Sequence, residues 1–334
     1  MEWKHKKICT DNLMAVDAIA PLIISASRST DIPAFYSKWF FNRLEKGYIA
    51  WINPFNQKTQ FVALDEVRFV IFWTKNPQPI LPYLEILEKK GIGYYFQITL
   101  NDYEAERLEP NLPPVEQRIE SFITLSEKIG KHKTIWRFDP LLLSDKLTID
   151  RLLNKIERIG NQISSYTEKL VFSFADINVY RKVISNLGKT KELYREFKDN
   201  EIFEFAKKLQ FLNLNWKIEL ATCAEDVNMI NFGISKNRCI DDELIYRISS
   251  NDNDLMNWLG YKIDSNSIFG KEEYIPNPKL KDKGQRKACG CIVSKDIGMY
   301  NTCMHLCVYC YANNSPDIVK KNFLKHHDDL QSII

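Results

Sequence analysis

Three cysteines near the end of the sequence, Cys303, Cys307 and Cys310, stand at spacings of four and three, with Tyr309 directly before the last. Three thiolates from one short loop can hold three irons of a cubane cluster and leave the fourth iron open for chemistry. Thiolates also suit zinc, but a zinc site asks for four ligands, typically as two chelating pairs. His305, Cys289 or Cys291 would have to supply the fourth. His305 is wedged between two of the cysteines, where a compact tetrahedron would strain the loop. A structural or electron-transferring cluster and unligated core thiols are the other readings.

Seven of the eight cysteines lie between positions 223 and 310, and Cys9 is the outlier. In a reducing compartment clustered cysteines read as metal or redox sites, because disulfides are disfavoured there. Cys223, Cys239, Cys289 and Cys291 form a second group, enough thiols for an auxiliary iron–sulfur cluster. A small zinc site and separate buried thiols are alternatives. Cys223, at the end of an expected strand, is also a candidate hydrogen-atom donor.

The 334 residues are 45% hydrophobic and 27% charged, with a formal net charge of +3. That balance fits a soluble globular protein and gives no argument for a nucleic-acid stripe. No apolar run approaches the ~20 residues that span a bilayer, and no signal-length apolar segment follows the basic N-terminus. The expectation is a cytoplasmic protein with no membrane partner, one domain over 1–334 with a cysteine-rich segment at 280–315.

These thiols need a scaffold, and the sequence supplies alternation. Apolar runs rich in Ile, Val, Phe, Tyr and Trp recur at 22–27, 48–53, 69–75, 94–100, 134–139, 170–176, 216–222 and 291–295. Several are apolar nearly throughout, as in strands covered on both faces. Helical periodicity occupies 34–46, 114–129, 149–159 and 201–212, with Gly47 and Gly130 as stops. Strand–helix alternation predicts a parallel α/β sheet, and seven or eight units favour a (β/α) barrel. Polar residues collect after the apolar runs: Ser27 to Asp31, Asn53 to Asn56, Thr74 to Asn76, Arg137 to Asp139, and Cys223. In a parallel barrel these ends share one rim, where active sites sit.

At its cysteine loop the chain resembles the radical S-adenosylmethionine (SAM) enzymes, whose hallmark Cys-x3-Cys-x-aromatic-Cys is matched by Cys303, Cys307, Tyr309 and Cys310. The resemblance implies a [4Fe–4S] cluster, SAM as cofactor, hydrogen-atom abstraction, a full or partial barrel and a flavodoxin or ferredoxin-type electron donor. In most of that superfamily the loop follows the first strand. Here it lies near the C-terminus, with a strand expected at 291–295 and a helix at 315–326. A circularly permuted barrel is therefore expected, with 291–295 beside 22–27.

The sequence also resembles the uncharacterised bacterial domain-of-unknown-function family 1848 nearly end to end. The resemblance rests on Ile24-Ser-Ala-Ser-Arg-Ser-Thr-Asp31-Ile-Pro33, Asn53-Pro54-Phe55, Phe72-Trp-Thr-Lys-Asn-Pro77, Trp136-Arg-Phe-Asp-Pro140, Cys239-Ile-Asp241, Gln285-Arg286, Cys289-Gly-Cys291 and 296–313.

Mapped by barrel position, the resemblance makes Ser27 and Asp31 candidates for the SAM amino group and Arg28 for its carboxylate. Lys75 and Asn76 could reach the ribose or carboxylate, and Tyr309 belongs to the cofactor loop. Gln97, Arg137 and Asp139 could meet the adenosyl group or the substrate. On a structural reading Asp31 caps a helix near Pro33, and Arg137 and Asp139 form an ion pair. The substrate could be a small molecule, a peptide or nucleic acid. Cys307-Val-Tyr-Cys310-Tyr311-Ala312 is locally similar to spore photoproduct lyase, so nucleic-acid repair is one option, with Trp73, Trp136 and Tyr95 as base-stacking candidates. A zinc- or iron–sulfur-stabilised nucleic-acid binding module is the alternative outside enzymology.

Overall fold

The structure, a computed structural model, describes residues 3–263, 272–274 and 277–334. Its strands, numbered along the chain, are β1 (Lys4–Cys9), β2 (Ala15–Ala20), β3 (Ile23–Ala26), β4 (Tyr48–Ile52), β5 (Thr59–Ala63), β6 (Phe69–Thr74), β7 (Gly93–Thr99), β8 (Thr134–Leu141), β9 (Lys169–Phe174), β10 (Glu219–Thr222), β11 (Ile234–Lys236), β12 (Tyr261–Ile263), β13 (Glu272–Tyr274) and β14 (Lys295–Asp296). Eight of them form one sheet in the order β14-β3-β6-β7-β8-β9-β10-β11, and every neighbouring pair is parallel.

Alternation along each strand divides the side chains between two faces. Val70, Phe72, Tyr94, Phe96, Trp136 and Phe172 face the larger core, with apolar residues of helices Ser37–Lys46, Val115–Ile129, Ile149–Ile163 and Asp199–Trp216. Phe69, Ile71, Tyr95, Ile135 and Val171 face the opposite way into a second core, shared with helices Asp242–Ser249 and Asn253–Leu259. Both faces are thus covered, which is why β6 and β7 read as continuous apolar runs. Helix Ile149–Ile163 buries Ile149, Leu152, Leu153, Ile156, Ile159 and Ile163, spacings of three and four that make one stripe. Helix Ser37–Lys46 ends where Gly47 takes φ +81°, a backbone that favours glycine.

Four expectations change. The 48–53 run is β4, but it lies in a separate mixed sheet, β1-β2-β5-β4, so Asn53 to Asn56 do not join the rim of the parallel sheet. The 34–46 helix is two helices, Ile32–Phe35 and Ser37–Lys46. The 291–295 strand is shifted to Lys295–Asp296, although it pairs as expected beside the first strand of the large sheet, Lys295 with Ile24 and Asp296 with Ser25. Among the described residues no pairing joins β11 to β14, so the sheet is open there. These edge strands are only three and two residues long. The gap holds the cysteine segments instead, where Ile292 N–H donates to Ile240 O at 3.2 Å. No helix among the described residues is long and apolar enough to cross a membrane.

Candidate functional site

The inward positions of the parallel strands are apolar in their first half and polar at their C-terminal ends. Ile71 is followed two residues on by Trp73 and then Lys75. Ile135 is followed by Arg137 and Asp139, and Val171 by Ser173. These later residues line a cavity of about 400 Å³, closed on one side by the 303–312 loop. All seven cysteines from Cys223 to Cys310 line the same cavity.

The loop is fixed from several directions. Asp296, at the end of β14, accepts from Ser25 Oγ (3.1 Å), Arg28 N–H (2.8 Å) and Gly298 N–H (2.9 Å). Gly298 passes so close to β3 that a Cβ there would lie 1.7 Å from Ser27 Oγ. Tyr36 OH donates to Thr302 O (2.6 Å), and Val308 N–H to Leu108 O (2.8 Å). Tyr309 OH donates to Glu109 and accepts from Lys75 Nζ (2.9 Å) and Asn101 Nδ2 (3.1 Å). Burial pushes the Cys303 thiol up to about 12 and raises Cys307 and Cys310 as well.

Behind the loop lies a buried ion cluster. Lys75 Nζ meets Glu109 Oε1 at 2.6 Å, and Arg118 NH1 stands 3.8 Å from Glu109 Oε2. Burial works against both charges of the first pair. Glu109 and Cys307 nevertheless hold the Lys75 pKa above its ordinary value, and Lys75 with Arg118 holds Glu109 below its own.

The second cysteine group assembles from three segments. Cys223 and Cys239 sulfurs are 3.3 Å apart. Cys239 Sγ accepts from Arg137 NH1 (3.1 Å) and Asn237 Nδ2 (3.2 Å), and Cys291 Sγ accepts the N–H groups of Cys239 (3.1 Å) and Ile240 (3.4 Å). The Cys223 and Cys291 hydrogen bonds hold Cys239 well below the ordinary thiol range, with Arg137 and Arg28 adding to the effect.

The other sequence candidates divide. Arg28 lines the cavity, its guanidinium 5.5 Å from the Trp73 ring and its NH2 without a hydrogen-bond partner. Asp31 caps helix Ile32–Phe35 through Ala34 N–H (2.9 Å), and its other oxygen accepts from Lys75 N–H (2.7 Å) and His305 Nε2 (2.7 Å). Its carboxylate is therefore committed, and His305 is turned to Asp31 through Nε2. Ser27 Oγ accepts from the N–H groups of Ser29 and Thr30, closing the turn after β3. Arg137 and Asp139 do pair, at 2.5 Å, on the cavity wall. Two candidates lie off the wall. Asn76 Oδ1 accepts Gln78 N–H in a local turn (3.2 Å), and buried Gln97 bridges Arg137 and Cys239 O. Trp136 and Tyr95 are fully buried and cannot stack on bases, which leaves Trp73 beneath Arg28.

Residues 23–312 match the model of a family described as Domain of unknown function (DUF1848). The chain belongs to that family. The DUF1848 match runs from β3 through the third cysteine of the loop, so it spans the whole parallel sheet and the cavity. None of the curated proteins matches significantly. A crystal structure from Bacteroides thetaiotaomicron, described there as a candidate alpha-L-fucosidase, is similar at 10% identity and a TM-score of 0.27 over 72% of this chain and 92% of that one. That likeness is too slight to carry an argument.

Sequence reasoning missed Glu109, Asn101, Arg118 and Asp296. Glu109 stands in a loop without periodicity and offered no signal. Asp296 offered one, as an acid at the end of the strand that leads into the cysteine loop. Among the described residues no group of three or more His, Cys, Asp or Glu closes round a single metal ion.

Proposed function

We propose that this DUF1848 chain is a radical SAM enzyme whose 303–310 loop carries a [4Fe–4S] cluster. The observation that supports it is the convergence of that loop's three thiols and the polar strand ends on one cavity. Its volume of about 400 Å³ lies within the ~300–1,000 Å³ of small-molecule sites. The donor set fits a cluster by type, being three soft thiols from one loop. The fold reads as an open, permuted (β/α) barrel in which the last strand of the chain stands where the first usually does.

Cys303, Cys307 and Cys310 would hold the cluster, which would supply the electron, drawn from a flavodoxin or ferredoxin-type donor, for reductive cleavage of SAM and hydrogen-atom abstraction from the substrate. The chain's own residues bind, orient and exclude water. Arg28 lines the cavity, one guanidinium nitrogen 3.5 Å from Asp282 and another unpartnered, a donor suited to a carboxylate. Lys75 sets a positive charge beside Cys307, which favours its thiolate. Glu109 and Tyr309 fix the loop against the sheet. Nothing in the site favours the nucleic-acid module over this reading.

The test is anaerobic reconstitution with iron and sulfide, then incubation with SAM and dithionite. 5′-Deoxyadenosine should form, and Cys307→Ala should abolish it. Iron-loaded protein that releases S-adenosylhomocysteine instead, or protein that takes up zinc and no iron, would sink the proposal.

A further inference from the structure

We propose that Cys223, Cys239, Cys289 and Cys291 form a second, four-thiolate site for a thiophilic metal centre on the wall of the same cavity. The inference goes beyond the reading above and does not depend on it, since the two groups share no residue.

The four sulfurs are brought together by the fold. Cys223 directly follows β10, Cys239 lies three residues after β11, and Cys289 and Cys291 precede β14. The Cys223 and Cys239 sulfurs are 3.3 Å apart, the Cys239 N–H points at Cys291 Sγ from 3.1 Å, and Cys289 stands two residues from Cys291 on the same cavity wall. All four line the cavity, and three of them are buried.

Their surroundings are those of thiolates. A thiol sulfur is a weak acceptor, yet Cys239 receives a guanidinium N–H and an amide N–H, and Cys291 receives two backbone N–H groups. Hydrogen bonds to sulfur of this kind hold and tune metal-bound thiolates. Charge agrees with the donors. A divalent ion or a doubly charged cluster ringed by four thiolates is a net dianion. The Arg137 guanidinium donates to Cys239, and a second guanidinium, that of Arg28, lines the same cavity.

A redox dithiol explains less. It accounts for Cys223 and Cys239 but gives no role to Cys289, Cys291 or the two N–H donors on Cys291. The four sulfurs do not yet close round one point, and as thiols Cys223 and Cys239 hydrogen-bond each other. Metal uptake releases those protons and replaces the S–H···S contacts with metal–sulfur bonds. Zinc and an iron–sulfur cluster share this tetrathiolate chemistry, and separate loading distinguishes them.

The experiment uses full-length wild type and the triple variant Cys303→Ala/Cys307→Ala/Cys310→Ala, each loaded anaerobically with iron plus sulfide or with zinc alone. Metal and sulfide are then counted, and the iron-loaded samples are examined by electron paramagnetic resonance. The triple variant should retain about four irons, or about one zinc. Adding Cys239→Ser and Cys291→Ser should remove it. In wild type the iron arm should approach about eight irons per chain if the second centre is a cluster. A folded triple variant that holds neither metal overturns the proposal. If that variant does not fold, the wild-type count decides: about four irons with no zinc bound besides overturns it. Both of those outcomes leave the radical SAM reading standing. Metal in the triple variant, with no SAM cleavage by wild type, separates the two the other way.

Discussion

Glu109→Gln tests whether the buried ions behind the cysteine loop hold the site together. The wild-type carboxylate serves Lys75 Nζ at 2.6 Å, Tyr309 OH and Asn101 Nδ2 at 3.3 Å on one oxygen, with Arg118 at 3.8 Å from the other. Its side chain is 2% exposed, and those of Lys75 and Arg118 are 16% and 1% exposed. The amide keeps the shape, removes the charge and sets an N–H2 group against a cation on whichever side it faces. Breaking a buried pair by removing one partner costs about 3–5 kcal/mol. With a urea m-value near 3 kcal/mol/M, that lowers the unfolding midpoint by about 1–2 M at unchanged m. The assay is equilibrium urea unfolding of metal-free protein under reducing conditions. Lys75→Met in the Glu109→Gln background should then cost less than Lys75→Met alone, by at least about 0.5 kcal/mol, because the pair is already broken. The pH dependence has a sign. The Glu109 pKa in the fold is held below its ordinary 4.5, so its contribution is present above that value and fades as pH falls through the lowered one. Lys75 is held above its ordinary 10.5, so its share is present below that value and is lost as pH rises through the raised one. The stability gap between wild type and variant should therefore be level across neutral pH and shrink in acid. A midpoint within about 0.3 M of wild type, together with additive single variants, would refute the reasoning.

Three further outcomes follow from particular contacts. Gly298→Ala drives a methyl group into Ser27 Oγ at 1.7 Å and Ser29 Oγ at 2.5 Å, so thermal unfolding should show a loss of at least about 1–3 kcal/mol. Asp31→Ala removes a helix cap worth ~1 kcal/mol and leaves the Lys75 N–H and His305 Nε2 without an acceptor at about 1–3 kcal/mol each, whereas Asp31→Asn, which keeps the cap, should lose less in the same urea assay. Burial pushes Glu225 up to about 7, so the folded state holds its proton longer than the unfolded one. Stability should fall as pH rises from 4.5 to about 7 and then level off, and Glu225→Gln should flatten that slope in urea midpoints measured across the range.

The parallel sheet was legible because strands covered on both faces leave an unmistakable apolar record. Six of the eight expected runs became strands of that sheet within about three residues of their expected bounds, and the 291–295 run reached it at its last residue. The membership of 48–53 was not legible, because an apolar run of that length is the same in a parallel or a mixed sheet. Its partner β5, in the segment 59–63, decides it. The openness between β11 and β14 was equally hidden. It depends on edge strands too short to leave a periodic signal and on cysteine segments that fill the gap.

Within the site, strand parity accounts for part of the cavity wall. From Ile71 the inward series runs to Trp73 and Lys75, although Thr74 between them also lines the cavity and Asn76 does not. From Ile135 it runs to Arg137 and Asp139, both on the wall. Parity alone would also admit Gln97, two residues after Tyr95, yet Gln97 lies beneath the cavity floor and Thr99 lines it. The neighbours of Gln97 in register are Trp73, on the wall, and Ile135, off it, and its side-chain amide is spent on Arg137 NH1 and Cys239 O. Register is a relation between strands, so no single run encodes it. The same holds more strongly for Glu109, whose carboxylate joins Lys75 across 34 positions of sequence and Tyr309 across 200. A buried carboxylate must find its cations somewhere. The sequence could say that such a residue needs partners, and only the fold could say that they stand directly behind the loop that carries the three cysteines.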